Sequence, residues 1–122
     1  MKRLFLLVGL FLFVLPLTVT AGEADVLKVK IKKSHQDTYT FNVTVLHEDS
    51  GWDHYANKWE VLTLDGKVLA ERILLHPHVN EQPFTRSLSG VKIPQDIKSV
   101  KVRAHDLVHE YGGKVIVVIL PK

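Results

Sequence analysis

The sequence predicts an all-β fold, a seven-stranded antiparallel sandwich of the immunoglobulin or fibronectin type. Several segments alternate apolar and polar residues with a period of two, which places one face of each strand in a core and the other in water. From Val26 onward, no stretch of ten or more residues carries the apolar stripe of a helix. Seven strand-like segments in about 100 residues match the size of such a sandwich.

The first segment, residues 1–21, is predicted to be a secretory signal peptide. A basic start precedes the unbroken apolar run 4–15, which is shorter than the about 20 residues of a membrane-spanning helix. Small residues favour cleavage after Ala21, with cleavage after Ala24 as the alternative. The expected mature chain is therefore a single sandwich domain, 22–122, in the periplasm or outside the cell.

The remaining chain divides into seven expected strands. The last of them is a continuous apolar, β-branched run and reads as a buried strand. Asp65-Gly66, between the third and fourth strands, suits a type I′ hairpin turn, in which both central residues have positive φ. Trp59 in the third strand is expected to fill the core. The expected strands are 26–33, 39–47, 57–64, 67–75, 84–88, 98–105 and 114–120.

Charge and cysteine content exclude several classes of function. The chain carries a net charge of +3, but two of its basic residues belong to the signal, so the mature domain is nearly neutral. It has no basic run with interleaved aromatic residues, and nucleic acid is not expected as a partner. The chain contains no cysteine, which excludes disulfides and thiolate metal sites. Without a cysteine for lipid attachment, we expect a soluble product with no stable membrane anchor.

Histidine placement is the most informative feature of the sequence. Consecutive strands of an antiparallel sandwich run up and down, so the loops after the second, fourth and sixth strands should share one end. Of the seven histidines, only His35 belongs to the opposite end. The other six fall in or beside the three shared loops, and they are His47, His54, His76, His78, His105 and His109.

Imidazoles and carboxylates that converge from separate loops favour a metal site. Imidazole suits copper, zinc and iron, and without a thiolate the ligands would be nitrogen and oxygen only. Six histidines exceed the ligands of one tetrahedral ion, so some would orient the others. No organic cofactor is expected. The acids in these loops could ligate or orient the imidazoles, and the four histidines favoured as ligands are His54, His76, His78 and His109.

Two other interpretations use the same loops. In one, the histidines hydrogen-bond backbone and acids and fix the long loops as a structural polar network. In the other, the protein is an interaction module that docks a periplasmic protein through aromatic side chains. No nucleophile motif supports a hydrolase, so binding is favoured over catalysis. The aromatic residues available for docking are Trp52, Tyr55, Phe84 and Tyr111.

Motifs in these loops resemble an uncharacterised family of small exported bacterial proteins, over nearly the whole mature chain. That resemblance implies kinship without an assigned activity. The segments that carry it are Trp52-Asp53-His54-Tyr55, Trp59-Glu60-Val61, Leu74-Leu75-His76-Pro77-His78-Val79, Gln82-Pro83-Phe84-Thr85-Arg86-Ser87-Leu88 and Arg103-Ala104-His105-Asp106 with His109.

A second, fainter resemblance is to the iron domain of superoxide reductases, which is also an immunoglobulin-like sandwich. That family has two spaced histidines, a Trp-containing strand that ends in Asp-Gly-Lys, and a late histidine beside a cysteine that binds the iron. This chain lacks the cysteine. The resemblance therefore implies a metal-binding end of the sandwich and not the reductase mechanism. The matching residues are His47, His54, Trp59, Asp65-Gly66-Lys67 and His109.

Overall fold

A computed structural model describes residues 22–122, and the expected signal peptide lies outside the described residues. Within the described range, no helix is long and apolar enough to cross a membrane. The secondary structure of residues 22–122 consists of seven strands. They are β1 (Asp25–His35), β2 (Thr38–Leu46), β3 (Ala56–Leu62), β4 (Val68–Ile73), β5 (Phe84–Lys92), β6 (Ser99–Asp106) and β7 (Ile116–Ile119).

The strands form two antiparallel sheets that pack as a sandwich. One sheet has the order β1-β2-β5 and the other has the order β4-β3-β6-β7. The predicted seven-stranded antiparallel sandwich is thereby confirmed. The fourth strand pairs with the third, whereas in immunoglobulin constant domains the fourth strand lies in the sheet of the first and second.

Two inward-facing rows of side chains build the core, one on each sheet. On β2 every second residue from Tyr39 to Val45 is buried, and on β6 the row runs from Val100 to Ala104. Trp59 is fully buried between them, as predicted. Both rows continue past their last apolar member at the same end of the sandwich. The next inward positions are occupied by His47 and Asp106, which are 3% and 0% exposed.

The last strand differs from its expectation. The run expected to be buried forms the short strand β7, whose Val117 and Ile119 are 58% and 80% exposed. β7 is the edge strand of its sheet, and only one of its faces meets the core. An unbroken apolar run therefore does not require burial on both faces.

The β3–β4 turn also differs from its expectation. The Gly66 amide donates to the carbonyl of Thr63 (3.0 Å), and the Thr63 amide donates to the carbonyl of Lys67 (2.8 Å). Of Asp65 and Gly66, only the glycine has positive φ. The hairpin thus uses a three-residue loop, with a glycine in the left-handed region after the turn, in place of the predicted type I′ turn.

A buried carboxylate ties the two central strands of the larger sheet together. Glu60 on β3 is 3% exposed. It accepts a hydrogen bond from Nε of Arg103 (2.8 Å) and pairs with Nζ of Lys58 (3.4 Å). Burial raises the pKa of Glu60, but the hydrogen bond and charge of Arg103 and the charge of Lys58 outweigh it and lower that pKa overall.

We expect this carboxylate to make stability pH-dependent. Because its folded pKa is depressed, its contribution is complete above the ordinary value of 4.5 and is lost as pH falls through the folded pKa. Glu60→Gln should cost about 2 kcal/mol at pH 7 and reduce the loss of stability between pH 6 and pH 3. Urea denaturation across this range measures both effects. Glu71→Gln, which alters an exposed partner of Lys58, is the control, and equal pH profiles for wild type and Glu60→Gln would contradict the assignment.

Candidate metal centre

Strand ends from both sheets meet at the histidine-rich end of the sandwich. His47 directly follows β2, and Asp106 is the last residue of β6. His54 precedes β3, whose first residue, Ala56, lies opposite Asp106 in the β3–β6 pairing. This register places the imidazole of His54 beside the carboxylate of Asp106. The three side chains therefore converge because the sheets end there.

The three donor atoms form a compact triangle. Nε2 of His54 lies 3.2 Å from Nε2 of His47 and 3.0 Å from Oδ2 of Asp106, and the third side, from His47 to Asp106, is 3.8 Å. Ligands of a tetrahedral ion with bonds of about 2.0–2.1 Å are about 3.3 Å apart. The triangle has these dimensions, so the three groups could hold a metal ion.

A second carboxylate fixes the orientation of the His47 ring. Nδ1 of His47 donates to Oδ1 of Asp49 at 2.6 Å, which turns Nε2 toward the triangle. Asp49 also accepts from the amides of Ala56 (2.9 Å) and His78 (2.7 Å). A carboxylate that holds the far nitrogen of an imidazole is a frequent companion of metal-bound histidine, because it fixes the tautomer and raises basicity.

The buried charges at this site require a cation. The side chains of Asp49 and Asp106 are both 0% exposed. Burial raises the pKa of each, but hydrogen bonds from His47, from His109 and from backbone amides outweigh it, so both pKa values are lowered. For His47, burial lowers the pKa, but the hydrogen bond that its Nδ1 donates to Asp49 and the charges of both carboxylates raise it overall. A proton on Nε2 of His47 and a metal ion thus compete for one position.

Asp106 also shapes the β6–β7 loop. Its Oδ2 accepts from the amides of Val108 (3.0 Å) and His109 (2.9 Å), and Nδ1 of His109 approaches the same oxygen at 3.3 Å. Backbone hydrogen bonds in both directions with Glu110, which has a φ of 60°, close the loop. Oδ1 of Asp106 is buried without a hydrogen-bond partner in the described chain, a costly state for a carboxylate that lacks a cation.

The centre has a buried floor and an accessible rim. The floor consists of His47, Asp49 and Asp106, whereas the side chains of His54 and His109 are 26% and 37% exposed. An ion can therefore reach the triangle from solvent past two imidazoles.

His76 and His78 form a separate pair. Their rings are 4.6 Å apart, and His78 stacks on Phe84 at 3.9 Å. Both ring nitrogens of His78 are buried without a hydrogen-bond partner among residues 22–122. Burial, with the charges of Arg86 and His76, lowers the His78 pKa. The pair is connected to the triangle through Asp49, which accepts from the His78 amide, and through Gln82, which accepts from the His47 amide and donates to the His78 carbonyl.

His105 lies on the opposite face of β6 from Asp106. Its Nδ1 is 2.6 Å from Oδ1 of Asn57, and its ring packs edge-on against Tyr111 at 4.8 Å. Burial, followed by the charge of Lys58, lowers the His105 pKa. The structure thus brings together His47, His54 and His109 of the six predicted residues, and it does not bring His105, His76 or His78 to the same point.

Asp106 is one of the acids predicted in the shared loops, and the sequence contained a further signal that distinguishes it from the others. The alternation Val100, Val102, Ala104 places the next inward position at Asp106, and the same alternation directs His105 outward. An ionisable residue that continues a core row is buried by geometry and needs a charged partner.

The aromatic residues considered for docking are scattered. Phe84 is 1% exposed and belongs to the core, so it cannot contact a partner. Tyr111 packs against His105, and Cζ of Arg103 lies 3.7 Å from the centre of the Tyr111 ring. Trp52 is 66% exposed and packs edge-on against Tyr55 at 5.6 Å. Only Trp52 remains as a large exposed aromatic anchor among the four.

Comparison with known proteins adds one relative. The chain is similar to a protein of the archaeon Halomicrobium mukohataei described as a "Putative lipoprotein", with 43% identity over 96 residues. The match covers 79% of this chain and 47% of the relative, so the chain spans about half the length of that protein. No family model and no solved structure matches the chain.

Asp49→Asn tests the support of the floor. Asp49 accepts three hydrogen bonds through its two carboxylate oxygens, whereas the asparagine side chain has one oxygen and one NH₂ group. At least one of the three donors would then face the NH₂ group, so we expect a loss of about 2–4 kcal/mol in the free energy of unfolding. Hydrogen exchange at the amides of Ala56 and His78 should accelerate together. Asp53→Asn, which changes an exposed acid in the same loop, is the control, and unchanged exchange at both amides would refute the role.

Proposed function

We propose that this protein binds one divalent transition metal ion through Nε2 of His47, Nε2 of His54 and a carboxylate oxygen of Asp106. The observation that carries the proposal is the triangle of donor atoms, which includes the fully buried carboxylate of Asp106 and lies next to the fully buried carboxylate of Asp49. A divalent cation at its centre neutralises that buried charge.

The donor set defines the class of metal. Two histidines and one carboxylate, with no thiolate, suit zinc and iron(II), and imidazole-rich sites also bind copper. In this arrangement Asp49 orients His47, and Oδ2 of Asp106 binds the ion while it also accepts from the amides of the β6–β7 loop. His109, at the rim, is the nearest further imidazole. Binding or delivery of the ion is favoured over catalysis, because no nucleophile motif in the sequence supports a hydrolase.

The resemblances bear on this proposal in different ways. His47 and His54 are among the residues matched to superoxide reductases, and their proximity supports a metal at this end of the sandwich. The missing cysteine keeps the reductase reaction outside the proposal. Kinship with small exported bacterial proteins stays a prediction.

The relative's description supports export of this chain as well. Cleavage after Ala21 and a periplasmic or secreted product remain our proposal for its location. The term lipoprotein applies to the relative and points to attachment of that protein to a membrane. The expectation that this chain has no membrane anchor therefore stays a prediction.

Metal titration tests the proposal. The purified protein, titrated with zinc, copper(II) or anaerobic iron(II) against a chromophoric chelator, should bind at least one of these ions with one per chain and a Kd below about 1 μM. The bound ion should also raise the Tm, because it binds only the folded state. His54→Ala, a change at the accessible rim, should weaken binding at least about 100-fold.

Matched variants locate the site. His105→Ala and His35→Ala should bind as wild type does, because neither side chain reaches the triangle. The double variant His76→Ala with His78→Ala should also retain the ion. Loss of binding in this double variant with full binding in His54→Ala would move the site to the other pair, and absence of binding by all three metals would refute the proposed function.

A further inference from the structure

The backbone of Gly22 lies against the candidate metal centre. Its carbonyl oxygen is 3.0 Å from Nε2 of His47, the nitrogen that faces the triangle. A Cβ at Gly22 would lie 2.6 Å from Cε1 and Nε2 of His109. Gly22 is itself buried. The absence of a side chain thus allows the backbone to approach both imidazoles.

Several contacts hold this segment in place. Asp25, the first residue of β1, pairs with Leu46 at the end of β2, so the residues before β1 lie beside His47. The Val26 amide donates to the carbonyl of Lys114 (2.9 Å), and the Lys114 amide donates to Oδ1 of Asp25 (2.7 Å). The start of β1 is therefore fixed by β2 and by the loop that follows His109, and the segment before it is held by the buried Ala24 and by the contact of Gly22 with His47.

The chemical nature of the Gly22 nitrogen depends on whether the chain continues before it. Within a peptide bond the nitrogen lone pair is delocalised and is a poor ligand. Cleavage after Ala21 converts the same atom to a primary amine. Standard backbone geometry allows this amine and the Gly22 carbonyl oxygen to lie on the same side of the Cα–C bond, where the two atoms can chelate one ion as a five-membered ring.

We propose that removal of the signal peptide after Ala21 completes the metal centre, with the α-amine and carbonyl oxygen of Gly22 binding the ion held by His47, His54 and Asp106. This inference rests on the proposed function and on the predicted cleavage position. A centre of two histidines and one carboxylate leaves coordination positions open. The carbonyl of Gly22 already lies at the spacing expected for a neighbouring ligand of His47.

Export of the full chain by a secreting host, with ¹⁵N-glycine as the only labelled amino acid, tests the inference. Intact mass should show a product that begins at Gly22. Loaded with copper(II) as the probe, this product should show hyperfine coupling to one ¹⁵N nucleus in pulsed electron paramagnetic resonance, since an amide nitrogen elsewhere in the chain does not bind the ion.

An insertion variant supplies the control. One threonine added between Ala21 and Gly22 moves the α-amine to an unlabelled residue, so the ¹⁵N coupling should disappear and zinc affinity should fall by about tenfold or more. An unchanged apo Tm shows that the variant is folded. If copper(II) does not bind, the zinc affinities of the processed protein and of the insertion variant test the role of Gly22 instead.

The outcomes separate this inference from the proposed function. Metal binding without ¹⁵N coupling, or with equal zinc affinity in the insertion variant, overturns the role of Gly22 and leaves the histidine site intact. Cleavage after Ala24 also overturns it, because Gly22 would then be removed. Absence of binding by all the metals, in processed and unprocessed protein alike, overturns the proposed function itself.

Discussion

The end of the sandwich that carries the histidines depends on the hydrogen bond between His47 and Asp49. Two carboxylates, Asp49 and Asp106, are excluded from water on either side of one imidazole. Buried charge of this kind is stable only when it is paired and hydrogen-bonded. Asp49 fixes the β2–β3 loop and the backbone at His78, and Asp106 fixes the β6–β7 loop. Both loops therefore take their shape from the groups that His47 holds together.

The strands and their common end could be predicted from the sequence because period-two alternation reports directly on which face of a strand is buried. Phe41, Val43 and Val45 mark the core row of β2, and antiparallel order then assigns each connecting loop to an end of the sandwich. His47, His54 and His109 meet because of that order. The alternation of strand direction assigns loops to an end of the sandwich but does not give the direction of side chains. It therefore could not distinguish these three residues from His76 and His78.

The side chains that reach the centre could not be predicted until the direction of each side chain on its strand was known. His105 and Asp106 are adjacent in the chain, yet they face opposite sides of β6, and the carboxylate reaches the centre while the imidazole packs against Tyr111. The position of β7 at a sheet edge likewise follows from strand order. No local pattern distinguishes an apolar edge strand such as Ile116–Ile119 from a central one, since both are equally rich in β-branched residues.

The same antiparallel order that gathers the loops also determines where the segment before β1 lies. β2 runs toward the histidine end and β1 runs away from it, so the residues before β1 belong to that end, as the pairing of Asp25 with Leu46 shows. An argument that considers only the loops between strands leaves out the segment before β1, because this segment connects no two strands. Donor atoms at strand ends are positioned by two packed sheets and not by flexible chain, and such support keeps ligand geometry close to that of the bound state. The backbone at Gly22 reaches the same end because β1 begins beside the end of β2, which brings the Gly22 carbonyl to Nε2 of His47.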